Sequence, residues 1–125
     1  MTDVTPDPKV KPRGEKRYRR KVASPKQWAA IRAEKLYDQR CRIHEPHSQA
    51  QELHHLVPRA LGGDDVADNL AGLCRRCHVL VSNRDAAALG VLAESLSDAE
   101  YAYCISKLGE NALSRLFGVM SETPR

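Results

Sequence analysis

The residues of this chain best suited to metal chemistry are its cysteines and histidines. Cys74 and Cys77 are separated by two residues, a spacing that lets both thiolates bind one ion from a tight turn. Cys41 and His44 have the same spacing and complete a tetrahedral set that suits zinc. His47 is an alternative to His44, because it lies only three residues further on. We favour His44 on its spacing, and the sequence predicts a structural zinc site.

Two adjacent histidines, His54 and His55, lie in a short segment with the composition of a β-strand. Consecutive side chains of a strand point to opposite faces. The two imidazoles therefore cannot easily bind the same ion, and we expect them to have separate roles.

The order of motifs between residues 41 and 83 resembles the HNH endonuclease family. His54 and His55 are followed by a loop with Gly62 and Gly63, then by Asn69, and then by a Cys-x-x-Cys-His motif that ends at His78. Each motif alone is a weak signal, but their joint occurrence in this order is specific. The resemblance implies an α+β fold with a small ββα-metal core, also called a His-Me finger.

The resemblance also implies a role for each polar residue. His54 and His78 match ligands of a catalytic divalent ion, which could be Mg²⁺, Mn²⁺, Ni²⁺ or Zn²⁺. His55 matches the general base that deprotonates the attacking water, a task suited to a neutral imidazole. Asn69 matches the central asparagine, which braces the hairpin loop or, in some members, binds the metal. A zinc ion on Cys77 would fix the position of the adjacent His78.

Short elements are predicted around these residues. The segment 52–57 predicts a strand that ends before Pro58, and the segment 70–73 predicts a second strand. The chain from Arg75 to about Asn83 has the pattern of a helix. Together these elements form the β-hairpin and helix that the resemblance requires.

Helices are predicted on both sides of this unit. Ser24 followed by Pro25 is typical of a helix N-terminus, and the apolar pattern continues to about Gln39. The alanine-rich segment 86–93 is a further helix candidate. These elements would flank the core rather than form the site.

The C-terminal region predicts a further pair of helices. Ser97 and Glu100 form a capping box, and the apolar face that follows includes Cys104 and ends at Gly109. The segment 112–117 predicts the last helix. We interpret Cys104 as a core residue, because it has no partner nearby in the sequence.

The charge of the chain is distributed unevenly. Residues 1–26 carry nine Lys or Arg and three Asp or Glu, whereas residues 27–125 carry eleven and thirteen. The segment 1–23 is rich in proline and charge and poor in apolar residues, so it predicts a disordered basic arm. Such an arm is typical of nucleic-acid contact, although basic tails can also serve only solubility. The expected divisions are this arm, a nuclease domain over 24–94 and a helical extension over 95–120.

Composition also limits the setting of the protein. The longest apolar stretch, 86–93, is far shorter than the roughly 18 residues of a membrane span, so no membrane contact is expected. The start of the chain has no pattern of a secretory signal, and the four cysteines are better explained by metal binding than by disulfides. A cytoplasmic location is expected, which for a phage-encoded protein means the host cytoplasm.

The resemblance implies a metal-dependent endonuclease that hydrolyses phosphodiester bonds of DNA, with double-stranded DNA as the expected partner. Small phage proteins of the family suggest phage packaging or other DNA-processing proteins as further partners. The alternative is a non-catalytic zinc-knuckle module that binds nucleic acid or another protein. His55 distinguishes the two hypotheses, because a binding module has no need for an imidazole at that position. Whether the chain is a monomer or a dimer is left open.

Overall fold

A β-hairpin and the helix after it form the centre of the fold, as the resemblance predicts. The computed structural model describes residues 20–43 and 48–118. The elements, in chain order, are α1 (Pro25–Leu36), β1 (Glu52–His55), β2 (Leu70–Leu73), α2 (Arg75–Ser82), α3 (Ala86–Glu94), α4 (Asp98–Leu108) and α5 (Ala112–Phe117). The predicted α+β class is confirmed.

The hairpin is a short two-stranded antiparallel sheet. Glu52 pairs with Leu73 at one end and His55 with Leu70 at the other. The first strand is two residues shorter than predicted, because the N–H of Val57 donates to the side chain of Asn69 at 2.7 Å instead of to a strand. The side chain of Asn69 therefore closes the hairpin loop at a position where the sequence predicted further strand pairing.

Helix α1 begins as predicted and ends earlier. The hydroxyl of Ser24 accepts the N–H of Gln27 at 3.1 Å, and the Gln27 side chain accepts the N–H of Ser24 at 2.9 Å. The helix ends at Leu36, three residues before the predicted end. Its last turn packs closely on β2, since a Cβ on Gly72 would lie 2.5 Å from the carbonyl oxygen of Lys35. Glycine at this position permits that approach.

Glu100 connects the C-terminal helices to the rest of the fold. The capping box of α4 forms as predicted, with Ser97 bonded to Glu100 in both directions. The same carboxylate, almost fully buried, also accepts two hydrogen bonds from Arg42 at 2.8 Å and one from Lys35 at 3.0 Å. One side chain thus joins α4 to α1 and to the chain just after Cys41.

The core is built mainly by α3, α4 and α5 packed on the hairpin and α2. Its fully buried members include Leu56, Leu73, Leu92 and Cys104. Cys104 therefore lies in the core, as its sequence context indicated. Within residues 20–43 and 48–118, every helix is too short or too polar to cross a membrane.

Residues 20–23, here called the strap, were assigned to the arm from sequence but are hydrogen-bonded to the body of the protein. Lys21 donates its N–H to Asp64 at 2.6 Å, and Ala23 donates its N–H to Asp65 at 3.1 Å. The N–H of Asp65 in turn donates to the carbonyl of Lys21 at 2.9 Å. The remainder of the predicted arm, 1–19, and the end of the predicted extension, 119–120, lie outside the described residues.

Candidate functional site

Three of the predicted zinc ligands lie together in the structure. The sulfur atoms of Cys41, Cys74 and Cys77, here called the cysteine cluster, are all within 4.8 Å of one another, and all three residues are buried. Two thiolates bound to one tetrahedral zinc lie about 3.8 Å apart, so the cluster fits this ion. His44 and His47 lie outside the described residues, and the fourth ligand stays a prediction.

Backbone contacts hold the cluster in place. Cys74 is the N-cap of α2, and its sulfur accepts the N–H of Cys77 at 3.4 Å. Arg42, next to Cys41, donates its N–H to the carbonyl of Gly72 in β2 at 2.9 Å. Burial and the neighbouring cysteines raise the pKa of Cys77 to about 12. Three thiolates cannot share this site without a cation to balance their charge.

His54 and His78 meet beside the hairpin. Their rings lie edge to face with centroids 5.4 Å apart, one on β1 and the other on the first turn of α2. Burial, together with the nearby His78 and His55, lowers the pKa of His54 to about 4. His54 is therefore a neutral imidazole with a free lone pair, the form that binds metal. His54, His55 and His78 are here called the histidine group.

Glu52 holds the ring of His78, a contact that the sequence analysis missed. Its Oε1 lies 2.7 Å from His78 Nδ1, and its Oε2 accepts from Arg75 Nε at 3.0 Å. The hydrogen bonds from these two residues lower the pKa of Glu52, which makes it a charged acceptor. His78 Nδ1 is then the donor, and in the neutral ring Nε2 carries the lone pair. The available signal was the strand period, which places Glu52 on the same face as His54.

His55 lies between an indole ring and a carboxylate. Its ring stacks on Trp28 of α1 with centroids 6.2 Å apart, and its Nε2 lies 2.8 Å from Asp65 Oδ1. Asp65 is only 5% exposed in its side chain. Burial would raise the pKa of Asp65, but the hydrogen bonds from His55 and Ala23 and the charge of Arg20 lower it below its ordinary value. Asp65 is thus a buried anion, and the sequence analysis gave it no role.

Asn69 ties together the loop between the strands. It is fully buried; its Oδ1 accepts from Val57, and its Nδ2 donates to the carbonyls of Val57 at 3.1 Å and Asp64 at 3.0 Å. Gly63 lies beneath this arrangement, and a Cβ there would collide with the Val57 carbonyl at 1.7 Å. All three of these hydrogen bonds go to the backbone of the loop, so the contribution of Asn69 is to hold the loop that carries Asp65.

Two arginines lie at the edge of the site. Arg20 donates to Asp65 Oδ1 at 2.8 Å, and Arg59 lies 3.7 Å from the same oxygen with 57% of its side chain exposed. They line a cleft of about 340 Å³ together with Gly62. The cleft has the charge and the donors to receive a phosphate group.

The geometry agrees with the comparison to protein families. Residues 39–84 match the family described as HNH endonuclease. This segment is therefore similar to HNH endonuclease domains. It contains the whole hairpin, the cysteine cluster and the histidine group, so the family resemblance predicted from the sequence is confirmed.

One curated relative extends the comparison. The "Probable mobile endonuclease E" of Enterobacteria phage T4 is 38% identical over 50 residues, which is 38% of this chain and 36% of the relative. The chain thus matches about a third of the length of that protein, and the match is consistent with the expected likeness to phage proteins. No solved structure matches the chain significantly.

Proposed function

We propose that this chain is a metal-dependent endonuclease that hydrolyses phosphodiester bonds of DNA. The observation that carries the proposal is the pairing of His54 with His78, 5.4 Å apart between ring centroids, next to His55 held by a buried carboxylate. Two imidazole ligands and an oriented general base, close together in the segment that matches the HNH family, are the groups that metal-assisted hydrolysis requires.

His54 and His78 would hold the divalent ion. When bound, such an ion supplies a Lewis acid that stabilises charge on the phosphate and on the leaving oxygen. Glu52 fixes His78 with its Nδ1 as the donor at 2.7 Å, and this leaves Nε2 as the ligand atom. Carboxylate–histidine pairs of this kind orient metal ligands in many proteins.

His55 acts as the general base in this proposal. A ring nitrogen takes a proton from water while the water oxygen forms its bond to phosphorus, and the bond from phosphorus to the leaving oxygen breaks. The leaving oxygen takes a proton from solvent, and the proton on His55 is released afterwards. Asn69 supports this step indirectly, because its three hydrogen bonds hold the loop that precedes β2.

The cysteine cluster would hold a structural zinc with His44, or with His47, as the fourth ligand. Its sulfur separations of under 4.8 Å and its burial support this assignment. Because Cys77 and His78 are consecutive, the zinc would also fix the start of α2 and with it a ligand of the catalytic ion.

Double-stranded DNA is the proposed substrate. The segment 1–26 has nine basic and three acidic residues and would contact phosphates without reading sequence. Arg59, more than half exposed beside the histidine group, would contact the phosphates nearest the cut. A cytoplasmic location and an association with phage packaging or other DNA-processing proteins complete the proposal.

The experiment that tests the function is cleavage of supercoiled plasmid with Mg²⁺, Mn²⁺, Ni²⁺ or Zn²⁺, compared between the wild type and His55→Ala. We expect the variant to keep its fold and DNA affinity and to lose cleavage by about two to four orders of magnitude, the usual contribution of acid–base catalysis. Because both proteins are purified identically, the variant also measures contaminating nuclease.

Two results would contradict this proposal in different ways. Equal cleavage by wild type and His55→Ala would show that His55 is not the base. DNA binding without cleavage under all four ions would favour the non-catalytic zinc-knuckle module instead.

A further inference from the structure

The contact between Asp65 and His55 has a defined direction. Asp65 Oδ1 lies 2.8 Å from His55 Nε2 and also accepts from Arg20 at 2.8 Å, while Oδ2 accepts the N–H of Ala23 at 3.1 Å. An ionised carboxylate has only acceptor positions. Its partner on the imidazole is therefore Nε2–H, and a neutral ring with Nε2–H carries its lone pair on Nδ1.

We propose that Asp65 is the positioning residue of the general base: it fixes the His55 ring and selects the tautomer in which Nδ1 accepts the proton from water. This inference rests on the proposed function and adds the residue that makes His55 competent. Asp65 touches neither substrate nor metal in this scheme. It also stabilises the imidazolium that forms when His55 takes the proton, as a carboxylate partner does in other histidine-based sites.

Two further contacts support the assignment. Trp28 stacks on the His55 ring with an interplanar angle of 28°, which restricts rotation of the imidazole while Asp65 holds its edge. In the described part of the chain, His55 Nδ1 has no hydrogen-bond partner, so it is free to meet a water molecule. The ring is therefore held on one face and one edge, and its second nitrogen is available.

The neighbouring Asp64 provides a matched control. It is as buried as Asp65, at 5% exposure against 8%, and is similarly engaged in the same loop. Its oxygens accept from Lys21 at 2.6 Å, Tyr103 at 2.7 Å and Lys107 at 3.0 Å, and among the described residues the carboxylate bonded to His55 is that of Asp65, not that of Asp64. Asp64→Asn therefore reports the cost of disturbing the loop without disturbing the base.

The test compares Asp65→Asn with Asp64→Asn in the zinc-loaded, full-length protein. The amide at residue 65 must turn its NH₂ either towards Ala23 or towards His55 and Arg20, which are all donors, so it cannot reproduce the contacts of the carboxylate. We expect kcat to fall at least about 100-fold in Asp65→Asn, with KM for DNA unchanged. The melting temperatures of the two variants should fall by similar amounts, while Asp64→Asn keeps most of its kcat.

A second measurement reads the tautomer directly and requires no cleavage. In protein with ¹⁵N-labelled histidine, the shifts of the two His55 ring nitrogens at alkaline pH should show a protonated Nε2 and a bare Nδ1, with His55→Ala used for assignment. Nδ1 protonated in the wild type, or equal losses of kcat in the two variants, would overturn the inference. An inactive wild type with the expected tautomer would instead contradict the proposed function alone.

Discussion

The cysteine cluster and the histidine group share one hairpin and one helix but differ in their access to solvent. The three cysteines are between 0% and 6% exposed and form part of the hydrophobic core. The histidines are only partly buried, and two of them, His55 and His78, are paired with carboxylates. A closed set of ligands suits a metal that stabilises the fold, whereas a partly open set leaves positions for water and substrate. Burial therefore distinguishes the proposed structural site from the proposed reactive one.

The largest expected effect concerns the cysteine cluster. Cys74→Ser should remove the zinc and unfold the domain, because structural zinc contributes on the order of 10 kcal/mol or more to folding of small domains. Cys104→Ser is the matched control, since Cys104 is equally buried but lies outside the cluster; it should keep its zinc and its fold. Elemental analysis and circular dichroism measure both. A zinc-free yet cooperatively folded wild type would refute the structural role of the metal.

Substitutions in the histidine group are expected to have a smaller effect, on the cleavage rate rather than on folding. His54→Ala and His78→Ala should retain the fold and the zinc but lose about 100-fold or more of the cleavage rate at low concentrations of the catalytic metal, because each would remove a proposed ligand. Part of this loss should return as the metal concentration is raised, whereas the loss in His55→Ala should not. Rates measured over a metal titration decide the point, and identical titration curves for all three variants would argue against separate roles.

The smallest expected effect concerns Glu100, whose contact with Arg42 lies next to the cysteine cluster and should weaken in acid. Burial alone would raise the pKa of Glu100, but Arg42, the N–H of Ser97 and Lys35 lower it from 4.5 to about 2. The ionised form is therefore stabilised in the folded state. Its contribution is complete above pH 4.5 and is lost as the pH falls towards 2. Glu100→Gln should cost about 2 kcal/mol at neutral pH, after allowance for the partial exposure of Arg42.

Urea unfolding between pH 2 and pH 7 measures this difference. The gap in unfolding free energy between wild type and Glu100→Gln should narrow as the pH falls through this window. Glu94→Gln, at an exposed position on α3, is the control and should follow the wild type throughout. A gap that stays constant with pH would mean that the charge of Glu100 contributes no stability.

Local signals in the sequence predicted most of the elements of this fold. Ser24 with Pro25 and Ser97 with Glu100 specify helix starts through contacts within four residues, and such contacts survive in almost any tertiary setting. The cysteine pair and the adjacent histidines were identified for the same reason, because their spacing alone limits what they can bind. The family resemblance then supplied an expected role for each of them.

The contacts between residues far apart in the chain could not be predicted from local sequence. Asp65 meets His55 across ten residues and Arg20 across forty-five, and Glu100 meets Arg42 across fifty-eight. No periodicity relates such positions, since their distance depends on how the loop, the strap and the helices pack together. Local pattern therefore selected the candidate side chains, while their partners could be found only from the tertiary structure.

The packing of α1 on the hairpin, and of α4 on the loop that precedes β2, bears on which segment of this chain could be exchanged between proteins. The HNH match covers residues 39–84, but the indole that covers His55 comes from Trp28, and the carboxylate that neutralises Arg42 comes from Glu100. Arg20 secures the loop from outside the same segment. A recombination event that moved only the matched segment would leave these three contacts behind. To keep these contacts, an exchanged segment would have to extend from Arg20 to at least Glu100.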